Sequence, residues 1–394
     1  MDAMHTTTKI FLSLFVLMFI IGGLTLYPDT TSKDPILPHA EENEDATTTK
    51  SSPPPEETAP ENEPAAQVPE KPIVKETPEP PLSAAKVSPP PSPPKQEPDT
   101  AVENTEEGLP FSTINLETRE ALVNIFCLTK SYSANITPIS GSGTIIDKKG
   151  VILTNAHIAQ YFLLEDYPTE GFVNCLIRTG SPARAMYKAT LLYVSPSWIS
   201  ENATVLTTEN PTGTGEHDFA LLLIDEALQG PLPSEFPYIP PETGSDLVDK
   251  TDSILVGAYP AGLLGAKTIQ QDLYASTAIV QPKEFYTFSL EAGTLDVISL
   301  GGSVVAQQGS SGGAVVNKYG KMIGLISTSS DGETTGDRDL RAITLEHIER
   351  SLLEHNNTTL EELLSGDLEQ KARDFNETVA PGLLQILVNT FSNP

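Results

Sequence analysis

Positive charge and cysteine are what this sequence has little of. Lys and Arg number 24 against 53 Asp and Glu, a formal net charge of -29 over 394 residues. Holding a polyphosphate backbone takes clustered Lys and Arg, so this balance argues against nucleic acid as a partner and disfavours anionic lipid surfaces. The two cysteines, Cys127 and Cys175, each sit in an apolar, strand-like run and in no CxxC or Cys/His cluster, which leaves no basis for a zinc site or any other metal. Their placing is compatible with one disulfide, in a domain outside the cytosol, or with two buried free thiols.

Aromatic residues are almost missing between residues 28 and 110, where 20 of the 34 prolines lie together with 18 acidic and 6 basic residues. Such a segment cannot bury a core. It predicts a disordered Pro/Glu-rich linker, kept extended by polyproline geometry and self-repulsion. Before it, Ile10 to Tyr27 run IFLSLFVLMFIIGGLTLY, 18 residues without a charge. As a helix this stretch is long enough to cross a bilayer once. A cleaved signal peptide is the rival reading, but no A-x-A-like site follows the run. Lys9 precedes it, and Asp29, Asp34 and the Glu-rich stretch from Glu41 follow, which puts residues 1–9 in the cytoplasm and the bulk of the chain outside.

From Phe111 the character changes to short apolar runs separated by turn residues, among them ALVNIFCLT, GSGTIIDKKGVILTNAHI, DFALLLI and SGGAVVNKYGKMIGLIST. Many short strands at this spacing predict an all-β barrel or sandwich over 111–345. From about Thr344 the pattern turns helical, and 346–394 reads as a small helical appendage.

The residues able to carry chemistry lie in the β region. In QGSSGGA, residues 308–314, glycines surround a serine and allow the close backbone approach that a nucleophile beside an oxyanion site requires. The register of G-x-S-G-G selects Ser311 over Ser310. A serine hydroxyl needs a base to take its proton, so a positioned histidine must exist. Of six histidines, His5, His39, His347 and His355 lie in the amino-terminal segments or the helical tail, and His217 is flanked by charges. His157 ends the hairpin GTIIDKKGVILT and is the candidate base. The orienting carboxylate should be buried and open an apolar strand; Asp218 in EHDFALLLID does so, whereas Asp225 closes the same run.

These three segments resemble those of chymotrypsin-like serine proteases, most closely the bacterial Deg/HtrA-type branch. GSGTIIDKKGVILTNAH, DFALLLI and GSSGGA follow that branch's patterns in the same His, Asp, Ser order. The resemblance implies a double antiparallel β-barrel of chymotrypsin type with the site in the crevice between the barrels. It implies an oxyanion hole made by the backbone amides of Gly309 and Ser311, and a substrate pocket with Val305 at its base and Ser327, Thr328 and Ser329 along its wall. An apolar base disfavours Lys or Arg at the cleavage site and favours small or medium apolar residues. Proteins or peptides are the implied substrates, and no cofactor is needed. A neutral histidine acting as base predicts activity that rises through about pH 6 to 7. Two departures stand out: the amino-terminal activation signature of trypsin-like zymogens is missing, and too few residues follow the barrel for a PDZ domain. The expected protein is a membrane-anchored extracytoplasmic endopeptidase, its alternative a catalytically silent, protease-like binding module.

Overall fold

The computed structural model describes residues 108–130, 136–208, 213–244, 248–288, 293–330, 332 and 334–392, all within one compact unit. The anchor expected at 10–27 and the linker expected at 28–110, save its last three residues, lie outside them. Among the described residues no helix is long and apolar enough to cross a membrane.

The chain enters through a helix that the reading in strands did not foresee, α1 (Phe111–Ala121). Ile114, Thr118 and Ala121 recur at helical spacing on its buried face. Directly after it, β1 (Leu122–Thr129) begins a closed barrel with β2 (Ile139–Asp147), β3 (Val151–Thr154), β4 (Val173–Thr179), β5 (Arg184–Val194) and β6 (Ala220–Ala227). The strands follow the order β1-β2-β3-β6-β5-β4 and pair antiparallel throughout. The turn between β2 and β3 is built by DKKG: Asp147 Oδ1 accepts the Lys149 N–H, and Gly150 takes φ +87°. Two short helices, α2 (Ala156–Ala159) and α3 (Pro196–Asn202), interrupt the strand sequence. Cys127 and Cys175 face each other in the β1/β4 register and are joined by a disulfide, which decides between the two readings left open by the sequence.

The second half comprises β7 (Ile254–Ala258), α4 (Ala266–Gln271), β8 (Ser276–Val280), β9 (Phe285–Tyr286), β10 (Val297–Gly301), β11 (Ala314–Val316), β12 (Met322–Ser329) and β13 (Leu340–Thr344). With the closed barrel it gives two barrel-like sheets that fit the expected chymotrypsin-like double barrel, although this second one is not closed by hydrogen bonds. The strands form one seven-stranded sheet, β8-β7-β11-β12-β13-β10-β9, whose edge strands are not hydrogen-bonded to each other. Only residues 281–284 separate β8 from β9, so the chain steps from one edge to the other and curls the sheet into a barrel-like shape.

The carboxy-terminal residues form α5 (Leu345–Asn356), α6 (Leu360–Leu364), α7 (Leu368–Thr378) and α8 (Ala380–Ser392). They are helical as expected but are not an appendage. Leu345, Ile348, Leu352, Leu360, Leu368 and Ala372 share one buried cluster with residues of both sheets, and Ala380, Leu383 and Leu387 share another with the first-barrel core. Periodicity shows that a helix has an apolar face; it does not show what that face meets.

On α5, His347 and His355 gather with His217, which precedes β6. The His217 ring lies 5.8 Å from His347 and 4.7 Å from His355, and its Nδ1 pairs with Ser351 Oγ at 2.9 Å. His347 Nδ1 lies 3.4 Å from Asp296 Oδ1, and Asp296 is also held by Arg350, Thr287 and the Phe288 N–H. Burial pushes His347 down to about 4 and lowers His217 as well.

Two predictions follow from this packing. Leu387→Ala should destabilise the protein by about 2–5 kcal/mol in urea unfolding, the cost of a cavity at a fully buried leucine; a detached tail would leave the main transition unmoved. Because the unfolded chain takes a proton on His347 near pH 6.5 while the folded chain resists down to about 4, that stability is complete above 6.5 and lost as pH falls toward 4. The loss amounts to as much as ~3 kcal/mol. Unfolding measured across this window should show a shallower acid slope in His347→Phe than in the native sequence.

Candidate active site

The end of β3 and the start of α2 deliver three polar residues, Thr154, Asn155 and His157, to the junction of the two halves. Thr154 Oγ1 donates to the Ser142 carbonyl at 2.8 Å, and Asn155 Nδ2 donates to the Asp218 carbonyl at 2.8 Å. His157, on α2, donates its backbone N–H to Asp218 Oδ1 at 3.0 Å and places Nδ1 2.8 Å from Asp218 Oδ2. The Asp218 side chain is 5% exposed and the His157 ring 23%. A carboxylate can only accept, so the proton of a neutral His157 sits on Nδ1 and its Nε2 is left as a base. Asp218 owes its position to the turn before β6, where the preceding His217 takes φ +58°, a rare conformation for a residue with a Cβ. Asp225 lies exposed toward the other end of β6, away from this contact.

Ser311 belongs to the loop between β10 and β11. Its hydroxyl donates to the Ser327 carbonyl at 3.2 Å, and no hydrogen bond joins it to His157 among the described residues. Ser327, on β12, also donates its own hydroxyl to Asp218 Oδ2 at 3.0 Å. Sequence reasoning placed Ser327 in a pocket wall. The structure turns its buried side chain to the aspartate, a partnership that no local pattern in GLISTSS signals. Thr328 and Ser329 continue β12, and their side chains lie outside the described residues. Val305 is fully buried among Ile298, Leu300 and Ile326.

The loop around Ser311 is fixed by glycines and by hydrogen bonds to both halves. Gly309 and Gly312 take φ +89° and +87°. A Cβ on Gly312 would fall 1.9 Å from the Ser142 carbonyl oxygen, so only glycine fits there. The N–H groups of Ser310, Gly312 and Gly313 donate to Gln307, Ile326 and Ser310 carbonyls. Those of Gly309 and Ser311 donate to no acceptor among the described residues. Ser310, which precedes the candidate nucleophile, points inward and donates its hydroxyl to the Val305 carbonyl at 2.5 Å. Among the described residues no cluster of His, Cys, Asp and Glu is arranged to hold a metal ion.

Residues 141–325 match the family described as the trypsin-like peptidase domain. No curated protein matches the chain. Solved structures similar to it include Deg5, at 16% identity and a TM-score of 0.40, covering 62% of this chain and 93% of Deg5. The serine endoprotease from Yersinia pestis is 20% identical with a TM-score of 0.38, covering 65% and 67%. A protease from M. tuberculosis, in its active form, is 18% identical with a TM-score of 0.37, covering 71% and 96%. The family match spans His157, Asp218 and the loop around Ser311, and ends within β12 two residues before Ser327. Residues 141–325 thus carry a domain similar to the trypsin-like peptidases, and that domain supports a serine endopeptidase.

Proposed function

We propose that the protein is a membrane-anchored, extracytoplasmic endopeptidase that cleaves proteins or peptides with His157, Asp218 and Ser311 as its triad. The observation that carries this reading is the double contact of His157 with the buried carboxylate of Asp218, which turns Nδ1 to the carboxylate and leaves Nε2 without a partner among the described residues.

In the mechanism that follows, Ser311 Oγ leaves the Ser327 carbonyl and attacks the substrate carbonyl carbon while His157 Nε2 takes its proton. The developing oxyanion accepts from the N–H groups of Gly309 and Ser311, each worth about 3–4 kcal/mol of transition-state stabilisation. His157 then protonates the departing amine, and Asp218 stabilises the imidazolium between these transfers. Water, deprotonated by the same imidazole, attacks the acyl-enzyme, and the returning proton restores Ser311. Val305, apolar and fully buried, supports a preference for small or medium apolar residues before the scissile bond.

The disulfide supports a location outside the cytosol, since such bonds persist in oxidising compartments. Support for the anchor rests on the uncharged run at 10–27, with the acidic, proline-rich segment 28–110 as a spacer.

A fluorophosphonate probe should label the full chain at Ser311, with labelling and peptide hydrolysis both lost in Ser311→Ala; a well-folded protein that stays unlabelled would sink the assignment. Asp218→Asn should lower kcat by about 10,000-fold by favouring the wrong imidazole tautomer. Digestion of a peptide library reads the pocket directly, and cleavage chiefly after Arg or Lys would refute the apolar preference.

A further inference from the structure

The motif GSG at 141–143 contains a serine to which the triad mechanism gives no part. Ser142 is fully buried on β2, in the closed barrel, where its carbonyl accepts from Thr154, yet its N–H and its hydroxyl both reach the other half. Its N–H donates to the Ser311 carbonyl at 2.8 Å. Its Oγ accepts the Tyr259 N–H at 2.9 Å and lies 2.7 Å from the Gly309 carbonyl oxygen. A hydroxyl has one hydrogen, and neither the accepted Tyr259 N–H nor any other contact uses it. That hydrogen therefore goes to Gly309.

Gly309 is the point of the loop that most needs such an anchor. At φ +89° and without a Cβ, its backbone has several accessible orientations, and nothing intrinsic selects one. Two external bonds do so. The Ala261 N–H holds the carbonyl of Gln308 at 2.8 Å, and Ser142 Oγ holds the carbonyl of Gly309. With the peptide planes on both sides of its Cα fixed, the N–H of Gly309 is directed opposite the Gln308 carbonyl, away from Ala261. Substituting Ser142 by alanine would leave the Gly309 carbonyl and the Tyr259 N–H without their partner, and rotation of the peptide plane would become the route by which they find another.

We propose that Ser142 is a positioning residue for catalysis: its hydroxyl, held by the Tyr259 N–H, fixes the peptide plane that follows Gly309 and, with the Ala261 bond on the plane before it, holds Gly309 and its oxyanion-binding N–H in place. This rests on the reading that Gly309 and Ser311 bind the oxyanion. Ser142 touches neither substrate nor the reacting atoms, so its effect should fall on turnover and leave substrate binding in place.

The test compares the full chain with Ser142→Ala on a quenched peptide carrying alanine or valine before the scissile bond. The expected result is a kcat lower by about 100- to 1,000-fold, the loss typical of one missing oxyanion donor, with KM within threefold. The midpoint of the pH–rate profile should not move, because the hydroxyl does not titrate and the His157–Asp218 contact is untouched. A folded Ser142→Ala protein with kcat within threefold of the native chain overturns the proposal, as does a loss confined to KM. If the alanine variant does not fold, Ser142→Cys, whose thiol is a weak donor, is read in the same way: kcat reduced by tenfold or more supports the proposal and an unchanged kcat overturns it. Native chain that neither hydrolyses the peptide nor takes a fluorophosphonate refutes the catalytic reading itself, an outcome distinct from any difference between native and variant.

Discussion

The structure is organised around a carboxylate that has been taken out of water. Asp218 is buried at the junction of the two halves, and an ionised group there is tolerable only if its oxygens are occupied by donors. Three donors meet it: the backbone N–H and Nδ1 of His157 from the closed barrel, and the hydroxyl of Ser327 from the seven-stranded sheet. A fourth bond, from Asn155 to the Asp218 carbonyl, holds its backbone. Neither half alone satisfies this charge. Docking of the two halves thus completes the hydrogen bonding of the aspartate that orients the histidine.

The same economy governs the segment between β7 and β8, which carries no candidate catalytic residue but supports the loop that does. Tyr259 OH donates to the Gly180 carbonyl, the Ala183 N–H to Leu273, and the Ala275 N–H to Ser181 Oγ, so the β4–β5 turn of the closed barrel grips it at several points. Arg178 completes the grip. Its buried guanidinium, lowered from its ordinary value mainly by burial, donates to the carbonyls of Ile269 and Gln270 and to Asn124 Oδ1. A cation there is offset by carbonyl dipoles and by the face of Phe126 rather than by a carboxylate. The loop bearing Ser311 consequently rests, through Ala261, on a platform tied to both halves.

What could be read from the sequence was what is local. The hairpin before His157 and the glycine-bracketed Ser311 are patterns of a dozen residues or fewer, and most strands announced themselves by apolar runs between turn residues. What escaped depends on contacts between distant segments. The disulfide was undecided because it hangs on the register of β1 against β4, strands whose cysteines are 48 residues apart. α1 was missed because its three buried residues, Ile114, Thr118 and Ala121, are few and one of them is polar. The carboxy-terminal helices were recognised as helices, but the partners of α7 and α8 lie some 150 to 200 residues earlier, in β5 and around α3. The contact of Ser327 with Asp218 escaped because it appears only when β12 is brought against the turn before β6, more than 100 residues earlier.

That residue also bears on how the site rests between turnovers. Ser327 gives its hydroxyl to Asp218 and its carbonyl to Ser311, so it touches both ends of the proposed triad while leaving His157 Nε2 outside the network. Exchanging one neutral hydrogen bond, Ser311 to a carbonyl, for another, Ser311 to an imidazole, involves a net difference on the order of 1 kcal/mol. Against the contribution of each oxyanion donor, about 3 kcal/mol or more, this is a small cost. The orientation of the serine hydroxyl is therefore the inexpensive variable of the site. The expensive one is the geometry of the backbone around Gly309, which has to be held before substrate arrives and which the folding of both halves must supply.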